Sequence, residues 1–161
     1  MTDAIFTTYN FTVTMNFGGD HTLGRFRLST TTDDRATFAD GLQNGGDVTA
    51  NWTVLAPFNL VSVNGATMTV LTDNSILVGG PLTGIDVYTF STNSAAVPVT
   101  GFRIELLLDG SLGNGGPGRA SNGNFVLTEF AITAIPEPST FLLFGVGALG
   151  LFSGRRRFFR R

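Results

Sequence analysis

The sequence predicts an all-β protein, an antiparallel two-sheet β-sandwich of jelly-roll type, followed by a single C-terminal transmembrane helix. Short segments alternate apolar and polar residues, the period of a strand buried on one face. Clusters of Gly, Asn and Asp separate about eight such segments. Only the stretch Phe141 to Phe152 departs from this pattern, with an apolar run that carries no charge.

Phe11 to Phe17 alternates strictly, and Gly18-Gly19-Asp20 turns the chain into Leu23 to Thr31. There Phe26 and Leu28 share one face and Arg25 and Arg27 the other, so the two segments are expected to pair antiparallel. Thr32 to Val48 is expected to be mostly loop, with a helical turn within Arg35 to Leu42. Trp52 to Val63 contains Pro57, which removes a ladder donor and predicts an edge strand or two short pieces. Asn64-Gly65 predicts a hairpin into Met68 to Leu71. Asp73-Asn74 turns into Ser75 to Val78, and Gly79-Gly80-Pro81 stops that strand. Asp86 to Thr92 is a further strand. Phe102, Ile104, Leu106 and Leu108 share a face of the next, opposite Arg103 and Glu105. Phe125 to Thr133 is the last, burying Val126, Phe130 and Ile132.

Two parts with opposite charge follow from the count. Residues 1–134 hold five Arg against eleven Asp and Glu, near −6, whereas 135–161 hold five Arg against Glu137, near +4. Lysine and cysteine are absent. A body without a basic patch excludes nucleic acid as the expected partner. The lack of cysteine excludes disulfides and thiolate metal sites. The body is long enough for one domain with its own core.

The tail divides into three. Pro136-Glu137-Pro138, followed by Ser139 and Thr140, is stiff and extended, because proline fixes φ and excludes the preceding residue from the helical region. The apolar run follows; from Ser139 to Gly154 a helix would span about 24 Å against a hydrocarbon core of about 30 Å. Arg155, Arg156, Arg157, Arg160 and Arg161 would hold that end on the cytoplasmic side. This order resembles the PEP-CTERM sorting signal of exported proteins in Gram-negative-type bacteria. The resemblance implies a transient inner-membrane anchor, cleavage near Pro136-Glu137-Pro138 by an exosortase-type membrane peptidase, and a destination at the cell surface or in extracellular polysaccharide. It also implies a signal peptide, which Met1 to Phe6 lacks. An upstream start is therefore expected.

Within the body, the segment starting His21-Thr-Leu-Gly-Arg-Phe-Arg is similar to strands of galactose-binding-like jelly-roll modules. So are Thr100-Gly-Phe-Arg-Ile-Glu-Leu, Gly116-Pro-Gly-Arg-Ala and Gly123-Asn-Phe-Val-Leu-Thr-Glu-Phe. Their order is reversed relative to those modules, which implies one permuted sandwich or parts of two.

Chemistry-bearing residues are sparse. His21 is the sole histidine, so a His-based triad or multi-His metal site is excluded. Gly113-x-Gly115-x-x-Gly118 matches a dinucleotide fingerprint but lacks the strand-to-helix context. Nothing in the spacing of Asp33, Asp34, Asp40, Asp47 and Asp109 selects a facing pair for glycoside hydrolysis, and no enzyme activity is expected. Asp109, at the head of the Gly110 to Asn124 loop, is the place for a structural Ca²⁺ if one binds. That loop is the expected recognition element, with Asn114, Arg119, Asn122 and Asn124 offering donors and acceptors to sugar hydroxyls. Trp52, Tyr9 and Tyr88 either stack on a sugar or belong to the core. A carbohydrate-binding body and a purely structural surface or biofilm protein both remain open.

Overall fold

The computed structural model describes residues 7–38, 51–94 and 98–135. Among them are β1 (Thr7–Met15), β2 (Arg25–Thr31), the single turn α1 (Arg35–Phe38), β3 (Thr53–Val54), β4 (Pro57–Ser62), β5 (Thr67–Val70), β6 (Ile76–Gly79), β7 (Asp86–Ser94), β8 (Gly101–Leu106) and β9 (Glu129–Ile135). All strand pairs are antiparallel. Sheet I has the order β4-β7-β1-β9. In sheet II, β8 lines one edge of β2, while β6 and β3 share the other, and β5 flanks β6.

The pairing is nested: β1 with β9, β2 with β8, β4 with β7 and β5 with β6. Strand alternation makes this work. On β7, Asp86, Tyr88, Phe90, Thr92 and Ser94 are buried while the residues between them are not. Phe11, Val13 and Met15 of β1 join Tyr88 and Phe90 to meet Phe26, Leu28, Ile76 and Val78 of sheet II. Phe11 stacks on Phe90 at 5.3 Å, and Phe102 meets Phe11 edge-on at 5.6 Å. Each such side chain contributes about 1.5–3 kcal/mol by leaving water.

The structure corrects several local expectations. β1 and β2 do not pair; they lie in different sheets and face each other across the core. Gly18, Gly19 and Asp20 all have positive φ, and this run arches the chain from one sheet to the other. Asn64-Gly65 likewise makes its turn, with Gly65 at φ 84, but joins β4 of sheet I to β5 of sheet II and is no hairpin. Asp73-Asn74 does close a hairpin, β5 to β6. The segment around Pro57 is two short pieces, β3 and β4, one in each sheet. The last strand starts at Glu129, later than expected. Phe125 and Leu127 pack on the core there, and Val126 between them does not. Leu106 and Leu108 are exposed, Leu108 at 72%. The helical turn is confined to Arg35–Phe38 within the described residues. The expected tail helix lies outside the described residues, among which no helix is long and apolar enough to cross a membrane.

Candidate functional site

Three surfaces hold the residues that could do chemistry. The first is the outer face of sheet II. Alternation on β2 sends Arg25, Arg27 and Ser29 outward, and β8 brings Arg103 and Glu105 beside them. Arg27 stands opposite Glu105 and grips it with Nε at 2.9 Å and Nη2 at 3.2 Å. Arg103 Nη2 reaches the same carboxylate at 3.1 Å, and its guanidinium lies 4.9 Å from the Trp52 ring centre. Arg25 bridges Asp73 at 3.0 Å and Asp109 at 3.3 Å. The Arg27 hydrogen bond pulls the Glu105 carboxyl below its usual range. The Ser75 hydroxyl and amide, helped by Arg25, hold Asp73 at about 2. The Ser111 hydroxyl and amide, with Arg25 again assisting, lower the Asp109 carboxyl as well.

The second surface is the Gly110 to Asn124 loop, which is built from backbone. Gly24 and Arg25 amides donate to Pro117 O at 2.7 and 3.1 Å, and the Arg119 amide donates to Thr22 O at 2.8 Å. A Cβ on Gly118 would lie 2.0 Å from Asn124 O, and one on Gly113 1.9 Å from Ala120 O. The glycines thus let the loop fold onto itself. Arg119 points inward, 8% exposed, and its Nη2 donates to Gly80 O at 2.7 Å and Pro81 O at 2.9 Å. Asp109 accepts from the Ser111 amide and hydroxyl, and Asn122 Oδ1 accepts from the Asn124 amide. Asn114, at φ 48, sits exposed in a 3₁₀ turn (Gly113–Gly115). Asn114, Asn122 and Asn124 therefore stay on the surface, while Arg119 ties the loop to the β6–β7 connection.

Trp52 does not join them. It precedes β3, which pairs with β2 at Ser29 and Thr30, whereas the loop is pinned at Gly24 and Arg25. Tyr88 is a core residue whose hydroxyl donates to Leu23 O at 3.1 Å, and burial raises its pKa. Tyr9 meets Phe102 edge-on at 4.9 Å. The Tyr88 ring is therefore not free to stack on a sugar, while Tyr9 is half-buried against the core. Among the described residues no three His, Asp or Glu side chains gather as a metal cluster.

The third surface was hidden in the sequence as the solvent side of β1. A depression of about 250 Å³ opens on the outer face of sheet I. Asn10, Thr12, Thr89, Ser91 and Asn59 line it above the backbone of Phe11 and Phe90. Ser91 donates its hydroxyl to Asn10 Oδ1 at 2.8 Å. On β4 the register slips between Phe58, opposite Ser91, and Val61, opposite Thr89. In that bulge Leu60 packs on the core, while Asn59 adopts φ 52 and stays exposed beside the depression.

The tail residues Pro136, Glu137, Pro138, Ser139 and Thr140, with Arg155, Arg156, Arg157, Arg160 and Arg161, lie outside the described residues. Residues 134–157 match the PEP-CTERM protein-sorting motif, and this match supports export and sorting through the tail. No curated protein and no solved structure matches the chain.

Proposed function

We propose that this chain is an exported, non-enzymatic protein of a Gram-negative-type bacterium. Its tail holds it transiently in the inner membrane and delivers it to an exosortase-type peptidase. Its sandwich then associates with extracellular polysaccharide at or beyond the cell surface. The observation that carries this is the position of the sorting motif. The match begins at residue 134, inside the last two residues of β9, so the folded body passes directly into the tail.

The body supports the same reading. Its nested strand pairing is that of a rolled-up hairpin, as in jelly rolls. The carboxylates of Asp73, Glu105 and Asp109 are each held by arginine, an arrangement suited to a rigid surface and poorly suited to proton transfer. A structural Ca²⁺ at Asp109 would have to displace Arg25.

The test is co-expression of the full chain, behind a signal peptide, with an exosortase-type peptidase. The recovered protein should lose its terminal arginines, leave the membrane fraction and co-purify with polysaccharide. Glu137→Ala should remain membrane-bound with its full mass. Recovery of the unaltered wild-type chain from the cytosol, with the peptidase present, would sink the proposal.

A further inference from the structure

We infer that the outer face of sheet I, centred on the Asn59 bulge, is a binding platform for an uncharged polysaccharide chain. This rests on the polysaccharide association proposed above and assigns it a place and a ligand class.

The register fixes what the face presents. Side chains directly opposite each other share a face, so β7, β1 and β9 form outward rows: Asn93, Thr8 and Ile135; Ser91, Asn10 and Thr133; Thr89, Thr12 and Ala131; Val87, Thr14 and Glu129. In these rows Glu129 alone is charged, and it stands at the edge. The two central rows carry hydroxyls and an amide. Such groups both donate and accept, as sugar hydroxyls do. Phe58 and Val61, opposite Ser91 and Thr89, add apolar surface to the same face for the C–H side of a sugar ring. Val61 is 55% exposed.

The bulge supplies the shape. Without it, Asn59 would point into the core by alternation. The extra residue lets Leu60 take that place and turns Asn59 to the depression. At about 250 Å³ the hollow is smaller than an enclosed small-molecule site, for which about 300–1,000 Å³ is usual. It is also open, which suits a single ring of a chain that continues across the sheet.

Charge decides between the two outer faces. On sheet II, Arg25, Arg27 and Arg103 already pair with Asp73, Glu105 and Asp109, so a charged ligand would have to break bonds the protein makes with itself. The described residues of the sheet I face form no ion pairs. Their own bonds there are the neutral ones from Ser91 to Asn10 and from Thr8 to Asn93, which leave further donors and acceptors for a ligand without charge.

The experiment is affinity electrophoresis of the full chain, in a sugar-free detergent, through gels containing dextran, a mixed-linkage β-glucan, galactomannan or alginate. Thr12→Val, Thr89→Val and Asn59→Gly remove one polar group each while keeping the backbone preference of the site, and circular dichroism and melting confirm folding. The expected result is retardation by at least one neutral polymer, insensitive to salt, and weakened about three- to tenfold by each variant. Asn122→Ala and Asn114→Gly in the glycine loop should leave it unchanged. Retardation that persists in the face variants overturns this location and leaves the polysaccharide association standing. Salt-sensitive binding to alginate alone overturns the ligand class. Retardation by none of the polymers overturns both this inference and the association on which it rests.

Discussion

Arg27 on β2 and Glu105 on β8 stand directly opposite in the sheet and are joined by two hydrogen bonds, 2.9 and 3.2 Å long. The pair sits in a lattice that also holds Ser29, Arg103, Arg25, Asp73 and Asp109. Three carboxylates in that lattice have folded-state pKa values below their ordinary ones, Asp73 at about 2. A carboxylate lowered on folding stabilises the fold above its unfolded pKa, and this is lost as pH falls through the folded value. Stability should therefore be full at neutral pH and decline below about pH 4.5, where unfolded carboxylates start to protonate, down to about 2. Thermal melts across this range check it. Glu105→Gln should flatten part of the decline, and a melting temperature that rose on acidification would contradict the lattice.

Arg119 should be a stability residue. Its guanidinium donates to two carbonyls of the β6–β7 connection from a nearly buried position. Arg119→Ala leaves Gly80 O and Pro81 O without a charged donor, which should cost about 2–4 kcal/mol in urea denaturation. Arg119→Lys should recover part of this, because one ammonium cannot reproduce the planar fork. A destabilisation below about 0.5 kcal/mol would show that the loop does not depend on this tie.

How much was legible in the sequence follows from which interactions are local. Alternation located β1, β2, β7 and β8, because period two is written residue by residue. It could not say which strands pair. Gly18-Gly19-Asp20 and Asn64-Gly65 signal a reversal equally well whether the next strand joins the same sheet or the opposite one. Arg119 looked like a surface cation, since its partners are carbonyls 38 and 39 residues away. Asn59 was invisible as a site residue, because a bulge is defined by the partner strand's register. Thr12 was visible only as the polar half of an alternation, and Asn10 lay just before the alternating segment.

The loop glycines should divide sharply. A Cβ on Gly118 would meet backbone atoms of Asn124 at 2.0 and 2.3 Å, which side-chain movement cannot relieve. Gly118→Ala should cost at least about 3 kcal/mol, at the level of the most damaging core substitutions. A Cβ on Gly110 would have nothing within 4 Å, so Gly110→Ala should stay within about 0.5 kcal/mol of wild type. Similar losses at both positions would mean the loop is looser than its backbone contacts imply.

Calcium removal should not matter. The oxygens of Asp109 are taken by Arg25 and by the Ser111 amide and hydroxyl. A chelator should leave the melting temperature unchanged, and added calcium should not raise it. A chelator-induced drop that calcium restores would show that Asp109 serves a cation after all.

The tail should set the body's orientation on the membrane. β9 runs from Glu129, opposite Thr14, to Ile135, opposite Thr8, and Pro136 follows at once. The glycine loop is anchored at the other end, through Thr22, Gly24 and Arg25, where Leu23 packs beside Met15. Six strand residues at about 3.4 Å each separate the two ends by about 20 Å. The chain has no cysteine, so single labels can be placed cleanly. In the uncleaved chain reconstituted in vesicles, a fluorophore at Asn93→Cys, whose row ends at Ile135, should be quenched by a headgroup-attached quencher. One at Leu108→Cys, beside the loop, should escape it. Only residues 136–140 lie between β9 and the apolar run in the sequence, so the reach from body to bilayer is short and the contrast should survive at physiological temperature. Equal quenching at both positions would mean that the sandwich swings on its anchor and that the junction at Ile135 transmits no orientation.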